Sequence, residues 1–282
     1  MISRGRSWQL ARECWQLPRQ GAVMGILNVT PDSFSDGGEH ADVAGALAHA
    51  RLMVAEGADI IDIGGESTRP GASEVAVHEE LRRVLPVVQT LRAEFPELRL
   101  SIDTRHAAVA REALLAGADI VNDITGLADP DMRQVCAELP CGIVLMHMQG
   151  EPRTMQEAPH YDDVVAEVRA FFEARLQLVL EAGIELQRIC LDPGIGFGKT
   201  TEHNVALIRH LESLRVENLP ILMALSRKRF LGVLTGDASL AKTSALPTVC
   251  MSLLAAAQGA DAHRVHDVAA LRQALTLRTA LI

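Results

Sequence analysis

Gly25-Ile26-Leu27-Asn28-Val29-Thr30-Pro31-Asp32-Ser33-Phe34-Ser35-Asp36-Gly37-Gly38 is the stretch on which the reading of this chain turns. The apolar run over residues 22–27 has the length of a buried strand. It gives way at Asn28 to Thr-Pro, Asp-Ser and Gly-Gly, and Thr-Pro and Gly-Gly punctuate a loop. An apolar strand opening into a polar loop is how an α/β protein presents a ligand site at the carboxyl end of its sheet. An ordinary strand exit would look the same over these residues alone, so the rest of the chain decides.

Outward from this stretch the pattern repeats. Strand-like runs are read at residues 23–27, 59–63, 98–102, 120–122, 142–146, 188–191, 221–224 and 263–265. Amphipathic, helix-like stretches separate them at 43–56, 77–95, 107–116, 132–139, 161–182, 203–214, 245–258 and 268–281. Regular alternation implies parallel strands with crossover helices, and eight such units close a (β/α)8 barrel, a TIM barrel of the α/β class. Gly57-Ala58-Asp59, Gly117-Ala118-Asp119 and Gly259-Ala260-Asp261 form a faint internal repeat, each ending a helix and starting a strand. Glycine is favoured just past a helix end, because it adopts the left-handed conformation at no steric cost. Residues 1–22 read as a short N-terminal extension, a hairpin or a lid across the bottom of the fold. Residues 23–282 read as one barrel domain without a linker.

Composition supports that frame. A chain of 282 residues suits a single barrel, and 48% hydrophobic residues supply a large core. Aromatics are only 3%, so the core must be aliphatic. A net charge of −9 argues against nonspecific nucleic-acid binding, and an anionic substrate would need a local basic cluster. Cys14, Cys136, Cys141, Cys190 and Cys250 form no CxxC pair and read as buried free thiols of a cytoplasmic protein rather than a zinc site. The N-terminus lacks a sustained apolar core, since Arg12, Glu13 and Gln16 interrupt it, so neither a signal peptide nor a membrane span is expected.

Every strand run ends in polar groups: Asn28, Asp62 with Gly64-Gly65-Glu66, Asp103-Thr104-Arg105, Asn122-Asp123, His147, Asp192-Pro193-Gly194, Ser226-Arg227-Lys228 and His266-Asp267. One such residue would be a satisfied loop group. A full set in a barrel converges on one mouth, where barrel enzymes keep their sites. Asp103, Asn122 and Asp192 offer acceptors for a ligand with paired N–H donors, because a carboxylate takes two such bonds at once. Arg69, Lys228, Arg264 and His266 offer positive charge or donors for phosphate. The mouth suits an amidine-edged heterocycle carrying a phosphate-type anion. Gly194-Ile195-Gly196-Phe197-Gly198-Lys199-Thr200 ends like a nucleotide P-loop, but Pro193 stands where the motif's first Gly is required. It reads instead as a flexible loop, with Phe197 able to cover a planar ligand.

These residues resemble the dihydropteroate synthase family of pterin-binding enzymes. Two long signature segments carry the resemblance, residues 24–38 and 57–71. Ser101-Ile102-Asp103-Thr104, Asn122-Asp123-Ile124, Met146-His147-Met148-Gln149-Gly150, Thr154-Met155-Gln156, Leu191-Asp192-Pro193-Gly194, Ser226-Arg227-Lys228 and Arg264-Val265-His266-Asp267 extend it over residues 23–267. The resemblance implies a TIM barrel. It also implies a magnesium-dependent (Mg2+) transferase of folate biosynthesis, a sulfonamide target. That enzyme joins 6-hydroxymethyl-7,8-dihydropterin diphosphate to 4-aminobenzoate, giving 7,8-dihydropteroate and diphosphate. By the same resemblance Asp103, Asn122, Asp192 and Lys228 hold the pterin, and Asn28 helps ligate magnesium. Thr68, Arg264 and His266 contact the diphosphate-bearing substrate. Phe34, Ser67, Thr68, Arg69, Pro70, Phe197, Ser226 and Lys228 build the 4-aminobenzoate pocket and its loops. A homodimer is the family's usual assembly.

One segment departs from the family pattern, which carries an Arg and a Gly-Ser/Thr pair leading into the helix after the seventh strand. Here the chain reads Ala241-Lys242-Thr243-Ser244-Ala245-Leu246-Pro247-Thr248, with Pro247 where Gly is usual and Ser244 near the Arg. Pro is tolerated in a first helical turn, so the helix is expected to survive. Two other readings share parts of the pattern. A pterin-binding methyltransferase domain, moving a methyl group from methyltetrahydrofolate to a corrinoid, should lack residues like 67–70 and the Lys228/Arg264 pair. A non-catalytic pterin-binding paralogue should have lost loop residues, yet Phe34, Thr68, Arg69 and Lys228 are all present.

Overall fold

Each of the eight apolar runs forms a strand of one parallel sheet in a computed structural model that describes residues 5–30, 39–66, 74–151 and 154–281. A short pair, β1 (Ser7–Gln9) and β2 (Cys14–Gln16), precedes it. The sheet strands are β3 (Ala22–Asn28), β4 (Ile60–Gly64), β5 (Arg99–Asp103), β6 (Ile120–Asp123), β7 (Gly142–Met146), β8 (Ile189–Asp192), β9 (Leu222–Met223) and β10 (Ala262–Val265). Their order is β8-β7-β6-β5-β4-β3-β10-β9. A parallel bridge between Leu191 and Ile221, with Leu191 N–H donating to Pro220 O at 2.8 Å, joins the two ends and closes the barrel.

The helices lie outside: α1 (Glu39–Ala55), α2 (Val77–Glu94), α3 (Ala107–Leu115), α4 (Pro130–Glu138), α5 (Val164–Glu181), α6 (Thr201–Arg209), α7 (Arg229–Thr235), α8 (Leu240–Thr243), α9 (Leu246–Ala257) and α10 (Val268–Thr279). The expected helix over 203–214 is split. It ends at Arg209, and a 3-10 turn over Leu211–Leu214 follows. The short helices α7 and α8 were not read from sequence. Each is too brief to show a helical period, and Gly236, at φ 72°, stops the first of them. Pro247 sits in the first turn of α9 and the helix is intact, as expected of a residue whose missing N–H is an orphan there anyway.

Side chains alternate across each strand. Val23, Leu27, Ile61, Ile63, Leu100, Ile102, Val121, Ile143, Leu145 and Leu191 face outward into the continuous core beneath the helices. Met24, Ile60, Ile120, Val144, Cys190, Leu222 and Ala262 form a separate interior cluster with Trp8, Leu10, Trp15 and Leu17. The N-terminal pair is therefore both things the sequence suggested, an antiparallel hairpin and a plug in the bottom of the barrel. Trp8 Nε1 donates to Arg188 O at 2.8 Å. Gly142 makes room for the plug, since a Cβ there would lie 2.5 Å from Leu10 Cδ2.

The Gly-Ala-Asp repeat carries more than a helix stop. In each copy the Asp side chain accepts from a backbone N–H at or next to the start of the neighbouring strand: Asp59 from Val23 at 2.8 Å, Asp119 from Leu100 at 2.9 Å, Asp261 from Ile221 at 2.9 Å. In each copy an arginine spans the glycine carbonyl and that carboxylate: Arg272, Arg92 and Arg215 respectively. Gly57, Gly117 and Gly259 have φ of 93°, 112° and 103°, which L side chains rarely adopt. One local device thus sets strand register at three places in the barrel floor. All five cysteines are free; Cys136, Cys141 and Cys190 are buried as expected, while Cys14 and Cys250 are exposed, on the outer faces of β2 and α9.

Candidate active site

The polar strand ends meet at the carboxyl mouth. Arg264, on β10, is held between two carboxylates: Nε donates to Asp62 Oδ2 and Nη2 to Asp103 Oδ2, each at 2.6 Å. Asn122 Nδ2 donates to the same Asp62 oxygen at 3.0 Å. Burial works against the Arg264 charge, but Asp62 and Asp103 outweigh it, and the guanidinium is held above its ordinary pKa. Burial pushes the Asp103 carboxyl up to about 7, against the pull of Arg264 and with repulsion from Asp62. Asp62 Oδ1 is buried and has no partner among the described residues. Asp62 was read as a strand-end polar group without a role. Its signal was its inward parity in a strand otherwise of Ile and Gly.

Asp192 ends β8. Its Oδ1 accepts from Gly194 N–H at 2.7 Å, and burial raises its pKa against that bond and against Lys228 and Lys199. Lys228 lies with its Nζ 4.2 Å from the centroid of the Phe197 ring. Burial lowers its pKa to about 8, with Asp192 opposing. Lys228 follows a backbone outlier, Arg227 at φ 58°. That conformation is costly for a non-glycine residue and persists only where its surroundings enforce it. Thr248 Oγ1, in the atypical 241–248 segment, accepts from Arg227 N–H at 3.2 Å, and Arg227 reaches Asp267 at 3.4 Å. A hydroxyl directly after the unusual Pro247 therefore braces the Lys228 turn. Ser226 Oγ and His266 Nδ1 lie 2.8 Å apart, so two residues read into different subsites are tied together.

Not every strand-end group joins the mouth. Asp123 faces away and accepts from Thr125 and Leu127 N–H, shaping its own turn. His147 turns to Lys199, 2.8 Å from Nδ1 to Nζ. Lys199 is itself buried and bound to backbone carbonyls, which is not the way a P-loop lysine is presented. The loop expected to be flexible is instead pinned along its length. At the rim Arg105 binds both oxygens of Glu66 at 2.9 and 3.1 Å, and Glu66 also accepts from Val75 N–H. Glu66, Glu80 and His106 have the residue types of a metal centre, but the guanidinium already occupies Glu66. Phe34, Ser67, Thr68, Arg69 and Pro70 lie outside the described residues.

Asn28 caps β3 at the mouth, partly exposed. Strand alternation turns it inward with Met24, so its amide oxygen is offered to the mouth. A hard oxygen donor fits magnesium, which is bound through one or two protein ligands and completes its shell with water and substrate phosphate.

A closed (β/α)8 barrel whose mouth pairs buried carboxylates with Arg264 and Lys228 defines an enzyme of the pterin-binding class, and the family described as pterin binding enzyme matches residues 24–266. The dihydropteroate synthase of Escherichia coli (strain K12) is 49% identical over 246 residues, covering 87% of this chain and 86% of that protein. The solved structure of Xanthomonas albilineans dihydropteroate synthase with 4-aminobenzoic acid is 48% identical, covers 98% of both chains and superposes with a TM-score of 0.90. Its complex with 7,8-dihydropteroate gives 0.84 over 93% of each chain at 48% identity. This chain belongs to the dihydropteroate synthase family.

Proposed function

We propose that the mouth condenses 6-hydroxymethyl-7,8-dihydropterin diphosphate with 4-aminobenzoate, releasing 7,8-dihydropteroate and diphosphate. The observation that carries this is the placement of Asp192 and Lys228, close enough for each to act on the other's charge, beside the Asp62–Arg264–Asp103 group, in a chain so close to synthases solved with 4-aminobenzoic acid and with dihydropteroate. A pterin edge presents a ring N–H beside an exocyclic amine. Asp192 matches both, since only its Oδ1 is engaged, by Gly194. Lys228 donates to the ring carbonyl and also reaches the aromatic pocket over Phe197. Asn122 and Asp103 complete the ring's polar contacts.

Loss of diphosphate leaves a methylene cation conjugated with the pterin. The arylamine is neutral near pH 7 and attacks it without a strong base. Catalysis is then positioning and stabilisation of the leaving group. Magnesium held by Asn28 and the diphosphate would supply positive charge at that leaving group. Two carboxylates already share the Arg264 charge, so Arg264 acts toward the diphosphate as a fixed donor, beside His266. Thr68 and the loops with Phe34 and Arg69 fit the same scheme on the strength of the sequence. The free cysteines fit a reducing cytoplasm, and no described helix is long and apolar enough to cross a membrane.

Calorimetry with the pterin diphosphate tests the site. Asp192→Ala should weaken binding by about 10- to 100-fold, the range of a hydrogen bond to a charged group. Undiminished affinity would remove Asp192 from the pterin subsite.

A further inference from the structure

Lys199 is one of the most fully bound side chains in the molecule, although nothing in the proposed reaction uses it. It is 3% exposed. Its Nζ lies 2.8 Å from His147 Nδ1 and donates to Gly194 O at 3.0 Å and Phe197 O at 2.9 Å. An ammonium has three N–H donors, and these three acceptors use them all. Burial lowers the Lys199 pKa to about 7, and burial together with Lys199 lowers that of His147 to about 3, so the imidazole is a neutral acceptor. His147 is itself oriented, edge-on to Phe171 with ring centroids 4.7 Å apart.

The segment around Lys199 can take only one path. A Cβ on Gly194 would lie 1.8 Å from His147 O, and one on Gly198 2.5 Å from Gln149 O, both at positive φ. Gly196 N–H donates to Asn204 Oδ1 at 2.9 Å, and the Tyr161 hydroxyl donates to Gly198 O at 2.9 Å. The carbonyl of the one aromatic residue in the segment, Phe197, is bound by Lys199, and its ring is the face under Lys228.

We propose that Lys199 is a positioning residue of this site: by binding the Phe197 and Gly194 carbonyls from inside the loop, with His147 as its third partner, it fixes the Phe197 ring beneath Lys228 and so sets the affinity for the aromatic amine. The proposal rests on the reading of Phe197 and Lys228 as walls of the 4-aminobenzoate pocket. Lys199 touches no substrate. Its effect runs through the ring it anchors; at Gly194 it takes the carbonyl, while Asp192 takes the N–H of the same residue directly from the strand end.

Steady-state kinetics and calorimetry on the purified full chain separate the two roles. Lys199→Met should raise the KM for 4-aminobenzoate at least tenfold, with the Kd for the pterin diphosphate within threefold of the parent. An unchanged KM, or equal losses for both substrates, would overturn the proposal. If Lys199→Met does not fold, His147→Phe keeps the ring on Phe171 but removes the acceptor. It should show the same split at threefold or more, relieved in His147→Asn, and no split would overturn the proposal. Phe197→Ala is the control for the pocket. An unchanged KM there would remove the underlying reading. A raised KM there with a normal KM in Lys199→Met would remove the positioning role alone.

Discussion

At the scale of single residues, the mouth works by holding charges where water cannot relax them. Lys228 shows the consequence most directly. Its pKa is pushed down to about 8 by burial, so the free enzyme loses this cation within reach of ordinary assay conditions. The kcat/KM for the pterin diphosphate should fall about tenfold per pH unit above that point, since this ratio reports ionisations of the free enzyme. Stability should move the other way. The unfolded chain binds this proton up to ~10.4, so between about 8 and that value folding gains with rising pH. A flat rate profile through pH 9 would contradict the placement of Lys228 as a charged donor. Asn122, Asp103, Asp192 and Lys228 were legible in the sequence because each stands at the polar end of an apolar run. Asp62 and Lys199 were less so. The meaning of the first depends on Arg264, 202 positions away, and the second sat in a segment resembling a phosphate loop.

At the scale of elements, the strands were legible and the small devices between them were not. An apolar run of the right length announces a strand, and all eight appeared within a residue or so of their expected bounds. The Gly-Ala-Asp repeat announced helix ends, but the arginines that complete each clamp come from α2, α10 and the turn before β9. No local pattern links them. The last strand in the chain, β10, also carries an unusual group. His263 is fully buried and neither ring nitrogen has a partner among the described residues. Burial lowers its pKa to about 4, with Arg278 adding to the effect. Between that value and the ordinary ~6.5 the unfolded chain binds the extra proton, so stability is lost as pH falls through this window, by up to about 3 kcal/mol. Urea unfolding at pH 7 and pH 5 should show about 2 kcal/mol of that loss in the parent and much less in His263→Leu. An equal acid loss in both would assign it to other groups.

At the scale of the whole molecule, exposed apolar side chains recur on three helices that contact one another. Val233 and Leu234 on α7, Leu240 on α8, and Leu246 and Leu254 on α9 are exposed, Leu246 at 66% and Leu254 at 58%. These helices follow β9 and contact one another, and we propose that their exposed apolar side chains meet a second copy of this chain. Sedimentation should give a species of twice the 30.5 kDa chain mass, and Leu254→Glu should shift it to the single-chain mass. A parent protein that sediments as one chain at micromolar concentration would contradict a dimer through this face. The sequence could announce the barrel, because alternation is a local property repeated many times. It could not announce this surface, because exposure depends on which faces the closed barrel leaves uncovered. The central claim is the condensation itself, and one assay reaches it. Purified protein is mixed with the pterin diphosphate, 4-aminobenzoate and magnesium, and dihydropteroate and diphosphate are both followed, with and without a chelator. Equal yields of the two products, lost on chelation and restored by added magnesium, are the predicted result. Tight pterin binding with no product under any condition would contradict the account.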